Sequence, residues 1–188
     1  GRLLYSYANR YLFQANVRRD GSSRFAKNYR WGTFPSFSAG WVVSEEPFMK
    51  KVNMPWLSYF KLRASWGKLG NERIGSNYFP YIALMSFGST IFYMADGSVV
   101  SGSTARPAVL AVEDITWETT TSTDLGFDAN FLNNRLHVNF DYYWKKTTDM
   151  LLAIQIPYTM GYNQPNTNAG KMSTHGYDID VSWQDHIG

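Results

Sequence analysis

The strongest regularity in this chain is an alternation of apolar and polar residues with period two. From Tyr11 the odd positions read Tyr11, Phe13, Ala15 and Val17, while the even positions, after Leu12, read Gln14, Asn16, Arg18 and Asp20. Residues 33–43 repeat it, with Phe37, Ala39, Trp41 and Val43 against Ser36, Ser38 and Gly40. Residues 59–67 set Phe60, Leu62, Ala64 and Trp66 against Tyr59, Lys61, Arg63 and Ser65. Residues 125–131, 136–145 and 177–183 do the same, and a weaker case opens the chain with Leu3, Tyr5 and Tyr7 on one face. Successive side chains of a strand point to opposite faces, so the pattern predicts about seven half-buried strands. Helical periodicity is almost absent. The stretch "SEEPFMKKV" is the one place where a short helical turn is expected.

The connections alternate in length. The first two segments meet at "ANR", residues 8–10, where a three-residue loop preserves the parity of the apolar face. The segments 125–131 and 136–145 meet at Asn133-Asn134, where the apolar face switches from odd to even, as a two-residue hairpin loop requires. Loop length and parity together predict pairing of Phe131 with Leu136, Ala129 with Val138, Phe127 with Phe140 and Leu125 with Tyr142. The connections over roughly 20–32, 70–115 and 150–170 are longer and rich in Gly, Ser, Asn, Thr and Pro. The connection 45–57 is intermediate and falls on the side of the tight turns.

Composition narrows the picture. The chain has 188 residues, enough for one domain, and is 17% aromatic. A net charge of +3 provides no basic field of the kind nucleic acid needs. Without cysteine there is neither a disulfide framework nor a thiolate metal site. No apolar run reaches the length of a transmembrane helix, but membrane barrels hide their apolar residues at every second position. The first residue is not Met, no signal segment follows it, and the end falls just past an alternating segment. Both ends therefore read as cuts through a longer chain.

Two architectures carry this pattern: an outer-membrane β-barrel and a soluble β-sandwich. Long loops on one side and mostly short turns on the other favour the barrel. So do alternating stretches of about 9 to 11 residues, the length of a tilted spanning strand. Tyr7, Tyr11 and Trp41 near turns, with Tyr142 and Trp144 at the far end, read as aromatic girdles. Charges on the opposite face suit a solvated lumen. Seven strands do not close a large barrel, and open backbone edges cannot sit in lipid, so this reading requires further strands.

The stretches "RYLFQANVRRDGSSRFAKNYRWGTFPSFSAGWVVSEEPFM", "LSYFKLRASWGKLGNERIG", "WETTTSTDLGFDANFLNNRLHVNFDYYWKKTTDMLL" and "GYNQPNTNAGKMSTHGYDIDVSW" resemble the SusC/RagA-type TonB-dependent outer-membrane transporters. The resemblance covers almost the whole chain, apart from roughly 76–112, where such transporters vary in their outer loops. It implies an all-β, antiparallel transmembrane barrel segment, about seven strands of a plugged 22-stranded barrel. The plug, the remaining strands and the TonB-contacting part would lie outside residues 1–188. It further implies localisation in the outer membrane, a SusD-like surface lipoprotein as lid, energy from TonB, and a glycan or peptide substrate. A soluble β-sandwich carbohydrate-binding module is the alternative.

No nucleophile–base–orienter set can be placed, and neither an enzyme activity nor a cofactor is expected. His137, His175 and His186 fall on different segments and lack the partners a metal site needs. Candidate lumen- or plug-facing residues are Arg18, Lys61, Arg63, Asp124, Asp128, Asp141, Asp178 and Asp180, for which wall and plug contacts are expected ahead of substrate contacts. Candidate substrate or lid contacts in the outer loop are Tyr78, Phe79, Tyr81, Phe87, Phe92 and Tyr93, with packing inside the loop itself as the competing reading. Asp96-Gly97 is a hairpin signal within that loop. In "RRDGSSRF", Arg19 has the parity of the apolar face near the outer interface, where outer-membrane lipid phosphates are its expected partner.

Overall fold

In a computed structural model, described over residues 1–52, 54–73, 78–108, 111–161 and 163–185, the alternating segments become strands. They are β1 (Arg2–Tyr7), β2 (Tyr11–Gly21), β3 (Trp31–Val42), β4 (Leu57–Asn71), β5 (Met85–Tyr93), β6 (Val99–Pro107), β7 (Glu118–Phe131), β8 (Leu136–Ala153) and β9 (Asn166–Trp183). Seven of them form one antiparallel sheet in the order β1-β2-β3-β4-β7-β8-β9. The other two, β5 and β6, pair only with each other. The predicted helical turn splits into a 3₁₀ turn, Val43–Glu45, and a short helix α1, Pro47–Val52.

The register joins the apolar positions into rows that cross the whole sheet. Tyr5 faces Phe13, followed by Ala39, Ala64, Leu125, Tyr142 and Tyr177. One row toward the turns lie Tyr7, Tyr11, Trp41, Leu62, Phe127, Phe140 and Ile179. Rings meet along and between these rows, with Phe127 5.6 Å from Phe140 in its own row and 5.9 Å from Phe60 of the neighbouring row between centroids. The face is open all the same: Ile179 is 59% and Val181 61% exposed. Among the described residues no second sheet covers it, an arrangement that does not favour the sandwich. A continuous apolar face left uncovered marks a surface made for lipid or for another protein.

The pairing expected across Asn133-Asn134 is the one observed. Phe131, Ala129, Phe127 and Leu125 face Leu136, Val138, Phe140 and Tyr142. Asn133 and Asn134 have φ of 58° and 64°, the left-handed pair of a type I′ turn, and the Arg135 amide donates to the Leu132 carbonyl at 3.3 Å. The "ANR" turn likewise closes Tyr7 on Tyr11.

The strand lengths depart from expectation. β4, β8 and β9 run 15, 18 and 18 residues, longer than a spanning segment. The ladders continue past the apolar band through Thr119–Thr123 and Lys145–Thr147, where backbone pairing persists after the alternation ends. Tyr142 and Trp144 therefore sit within β8 and mark the end of the apolar band, not the end of the strand. The first and last of the three long connections shorten to 22–30 and 154–165, while the middle one keeps its length at 72–117 and contains the β5–β6 hairpin.

The tightest apolar core lies at the loop end. Phe25, Ile115 and Trp117 are buried there, with Phe34, Val112 and Leu151 packed against them. The Trp117 indole donates to the Arg30 carbonyl at 3.3 Å, and Asn168 accepts from the Thr116 amide at 2.9 Å. This core clasps the β2–β3 loop, the segment entering β7 and the upper end of β8.

Candidate functional site

The polar face of the sheet is organised around Arg63. Its guanidinium lies 3.0 Å from Asp128 on β7 and 2.9 Å from Asp141 on β8. Arg63 and Asp141 share a row with Gly126 between them, so the side chain must reach across a whole strand. Gly126 makes this possible: a Cβ there would collide with the Asp141 carboxylate and stand 2.6 Å from the Phe140 carbonyl oxygen. Arg63 Nε and Asp141 Oδ1 are buried and unpartnered, so the cluster retains hydrogen-bonding capacity.

The other polar-face candidates surround this pair without closing it. Asp178 follows Asp141 in the same row. Lys61 opens the next row, which runs through Asp128 and Asn139 to Asp180. Asp124 faces Ser65 on one side and Tyr143 on the other. Among the described residues, Lys61, Asp124, Asp178 and Asp180 make no ion pair. Arg18 stands apart near the loop end and pairs with Asp20 at 2.7 Å, an exposed contact of little energetic weight. A shallow recess on this face is lined by Gln14, Ser38, Lys61, Arg63 and Asp124.

The histidines do not converge. His137 bonds Asn130 at 2.9 Å, His175 faces Trp144 on the apolar face, and His186 lies outside the described residues. Among the described residues, no cluster of His, Cys, Asp or Glu could hold a metal ion.

The six aromatic loop candidates divide into two groups. Tyr78 lies under the Arg24 guanidinium at 5.0 Å, Tyr81 donates to the Ser23 carbonyl at 3.5 Å, and Phe79 packs edge-on to Tyr81. Tyr78 and Tyr81 thus engage the β2–β3 connection directly and Phe79 through Tyr81, although Tyr78 and Phe79 remain about half exposed. Phe87, Phe92 and Tyr93 stand on the β5–β6 hairpin, with Phe87 and Tyr93 each 81% exposed. Asp96-Gly97 forms the hairpin tip as expected: Gly97 has φ +80°, and Asp96 accepts from the Ser98 amide at 2.9 Å.

At the turn end, the structure holds a cluster that sequence reasoning missed. Glu46 is buried and accepts from Arg10 and from the Trp41 indole, each at 3.0 Å. Hydrogen bonds from the Tyr11 hydroxyl and then from Trp41 hold its carboxyl below the usual range. The Arg10 charge and hydrogen bond act the same way, and burial opposes them. No local signal could have revealed it, because Arg10 and Glu46 are 36 positions apart.

Comparison with known proteins places this geometry. The family described as "TonB dependent receptor-like, beta-barrel" matches residues 1–187. The TonB-dependent receptor SusC of Bacteroides thetaiotaomicron is 41% identical over 183 residues, covering 97% of this chain and 18% of SusC. A TonB-dependent receptor of Formosa agariphila is 39% identical over 181 residues, covering 96% of this chain and 16% of that protein. The RagAB peptide importer in its closed-closed state superposes with a TM-score of 0.79 at 27% identity, covering all of this chain and 19% of that one. Its open-open state gives 0.75. The chain thus spans less than a fifth of the length of each of these relatives. A seven-stranded sheet with one apolar and one charged face, matched along its whole length, leaves one assignment: the chain belongs to the TonB-dependent receptor-like β-barrel family.

Proposed function

We propose that this chain forms about a third of the wall of a plugged outer-membrane barrel that imports oligomeric nutrients, glycans or peptides. The carrying observation is the seven-stranded sheet that is apolar across one face, charged across the other and unpaired at both outer strands, β1 and β9. Such edges cannot sit in lipid, so further strands close the wall. The short turns then face the periplasm and the long loops face outward.

In this assembly the mechanism is transport without bond chemistry. Substrate is captured outside beneath a SusD-like lipoprotein lid and enters the lumen when TonB rearranges the plug. Arg63, Asp128 and Asp141 pair with one another and act as wall, whereas Lys61, Asp124, Asp178 and Asp180 are open to the plug. Arg18 guards the outer end of the lumen. Phe87 and Tyr93, with Phe92 beside them on the same hairpin, are the loop aromatics best placed to meet substrate or lid, since the other three already engage the neighbouring loop or one another. Arg19, stacked over Trp31 at 5.2 Å on the apolar face, meets lipid phosphates.

The test is fractionation and uptake with the full-length protein. It is expected in the outer-membrane fraction together with a surface lipoprotein. Uptake of a labelled oligosaccharide or oligopeptide should cease when the proton-motive force is dissipated. Recovery in the soluble phase, or uptake indifferent to that force, would contradict the reading.

A further inference from the structure

The apolar face carries a feature that the importer function does not require. Trp66 on β4 and Trp144 on β8 lie in one row, separated by Thr123 on β7. The next row toward the loops is Lys68, Thr121 and Lys146. The same Trp-x-Lys spacing thus occurs twice, on the two strands that flank β7, with both tryptophans and both lysines on one face. Two strand spacings separate the two arms, about 10 Å, and the floor between them is a pair of threonines. Trp66 is held in place by stacking on Phe37 at 5.9 Å, and Trp144 by contact with Tyr142 at 5.6 Å.

Charge singles this slot out. The carboxylates at strand positions that pair in register, namely Asp20, Glu118, Asp124, Asp128, Asp141, Asp178 and Asp180, all have the parity of the opposite face, and Asp149 of β8 falls in the irregularity between Thr147 and Met150. Among the described residues, no ion pair joins a lysine of the apolar face to a carboxylate. Lys68 and Lys146 are exposed and make no ion pair among the described residues. Two unpaired cations just above two tryptophans match a lipid whose phosphate sits at the headgroup level and whose chains lie below.

We infer that Lys68, Thr121 and Lys146, above Trp66, Thr123 and Trp144, form a site for one phosphate-bearing lipid of the surrounding leaflet. The lysines hold the phosphate, the threonine hydroxyl donates to it, and an acyl chain fills the groove between the indoles. The inference rests on the reading of this face as membrane-embedded.

The test uses the full-length protein in detergent, titrated with short-chain phosphatidic acid and followed by native mass spectrometry. Phosphatidylcholine of the same chain length and inorganic phosphate serve as comparison ligands. Phosphatidic acid should bind in preference to both. Lys68→Gln and Lys146→Gln should each weaken it about five-fold, and the double variant about 25-fold. Lys145→Gln, one residue away on the opposite face, should change nothing. Equal weakening by Lys145→Gln, or equal binding of phosphatidylcholine, would overturn the site and leave the barrel standing. Inorganic phosphate binding as well as the lipid would make it an anion site and not a lipid site. Recovery of the wild-type protein without detergent in the soluble fraction would overturn both the site and the membrane reading.

Discussion

At the scale of single residues, the wall depends on what is left out as much as on what is present. Gly126 has no side chain, and that gap lets Arg63 span β7 to reach Asp141. Gly126→Ala should cost about 1–3 kcal/mol, because the new methyl group meets the Asp141 carboxylate and the Phe140 carbonyl inside a paired sheet. A urea titration followed by tryptophan fluorescence measures it, and an unchanged midpoint would show that Arg63 does not need the gap. Glu46 gives a prediction in pH. Its folded-state carboxyl is held below the ordinary value, so its stabilising contribution is complete above the unfolded value and is lost as pH falls through the folded one. The protection of amides over residues 43–52, taken relative to their intrinsic exchange at each pH, should therefore fall on acidification below the ordinary carboxylate range. Glu46→Gln should abolish that pH dependence. The polar-face cluster was legible in the sequence only as a list of charges on one parity. Which charges pair depends on the register between β4, β7 and β8, and on one glycine.

At the scale of elements, the tight turns were legible and the loop end was not. Asn133-Asn134 declared itself through the parity switch, because a two-residue loop must exchange odd for even. Asn134→Val, forcing a β-branched residue to φ 64°, should cost about 1–2 kcal/mol and raise amide exchange at Leu132 and Arg135. The core of Phe25, Ile115 and Trp117 is assembled from segments some 90 residues apart, and nothing periodic announces such contacts. The β5–β6 hairpin behaves differently again. It pairs with no wall strand, and its exposed Phe87 and Tyr93 contribute little to folding. Excising residues 85–107 should leave the barrel resistant to unfolding on an unheated denaturing gel. If the hairpin meets lid or substrate, uptake should fall in the same variant. A barrel that no longer assembles would mean the hairpin is structural.

At the scale of the whole molecule, the central claim is that one face of this sheet lies in lipid and the other lines a lumen. The 188 residues contain no cysteine, so single cysteines can report each face without interference from this segment. The most direct measurement places spin labels, one at a time, at Leu125, Phe127, Phe140 and Tyr142, and then at Asp124, Asp128 and Asn139, in the full-length protein in bilayers. Collision with oxygen and with a water-soluble nickel complex is then compared along the chain. The account predicts alternation with period two: oxygen access without nickel access at the first four sites, and nickel access at the last three. Equal access to nickel at both sets of sites would contradict it.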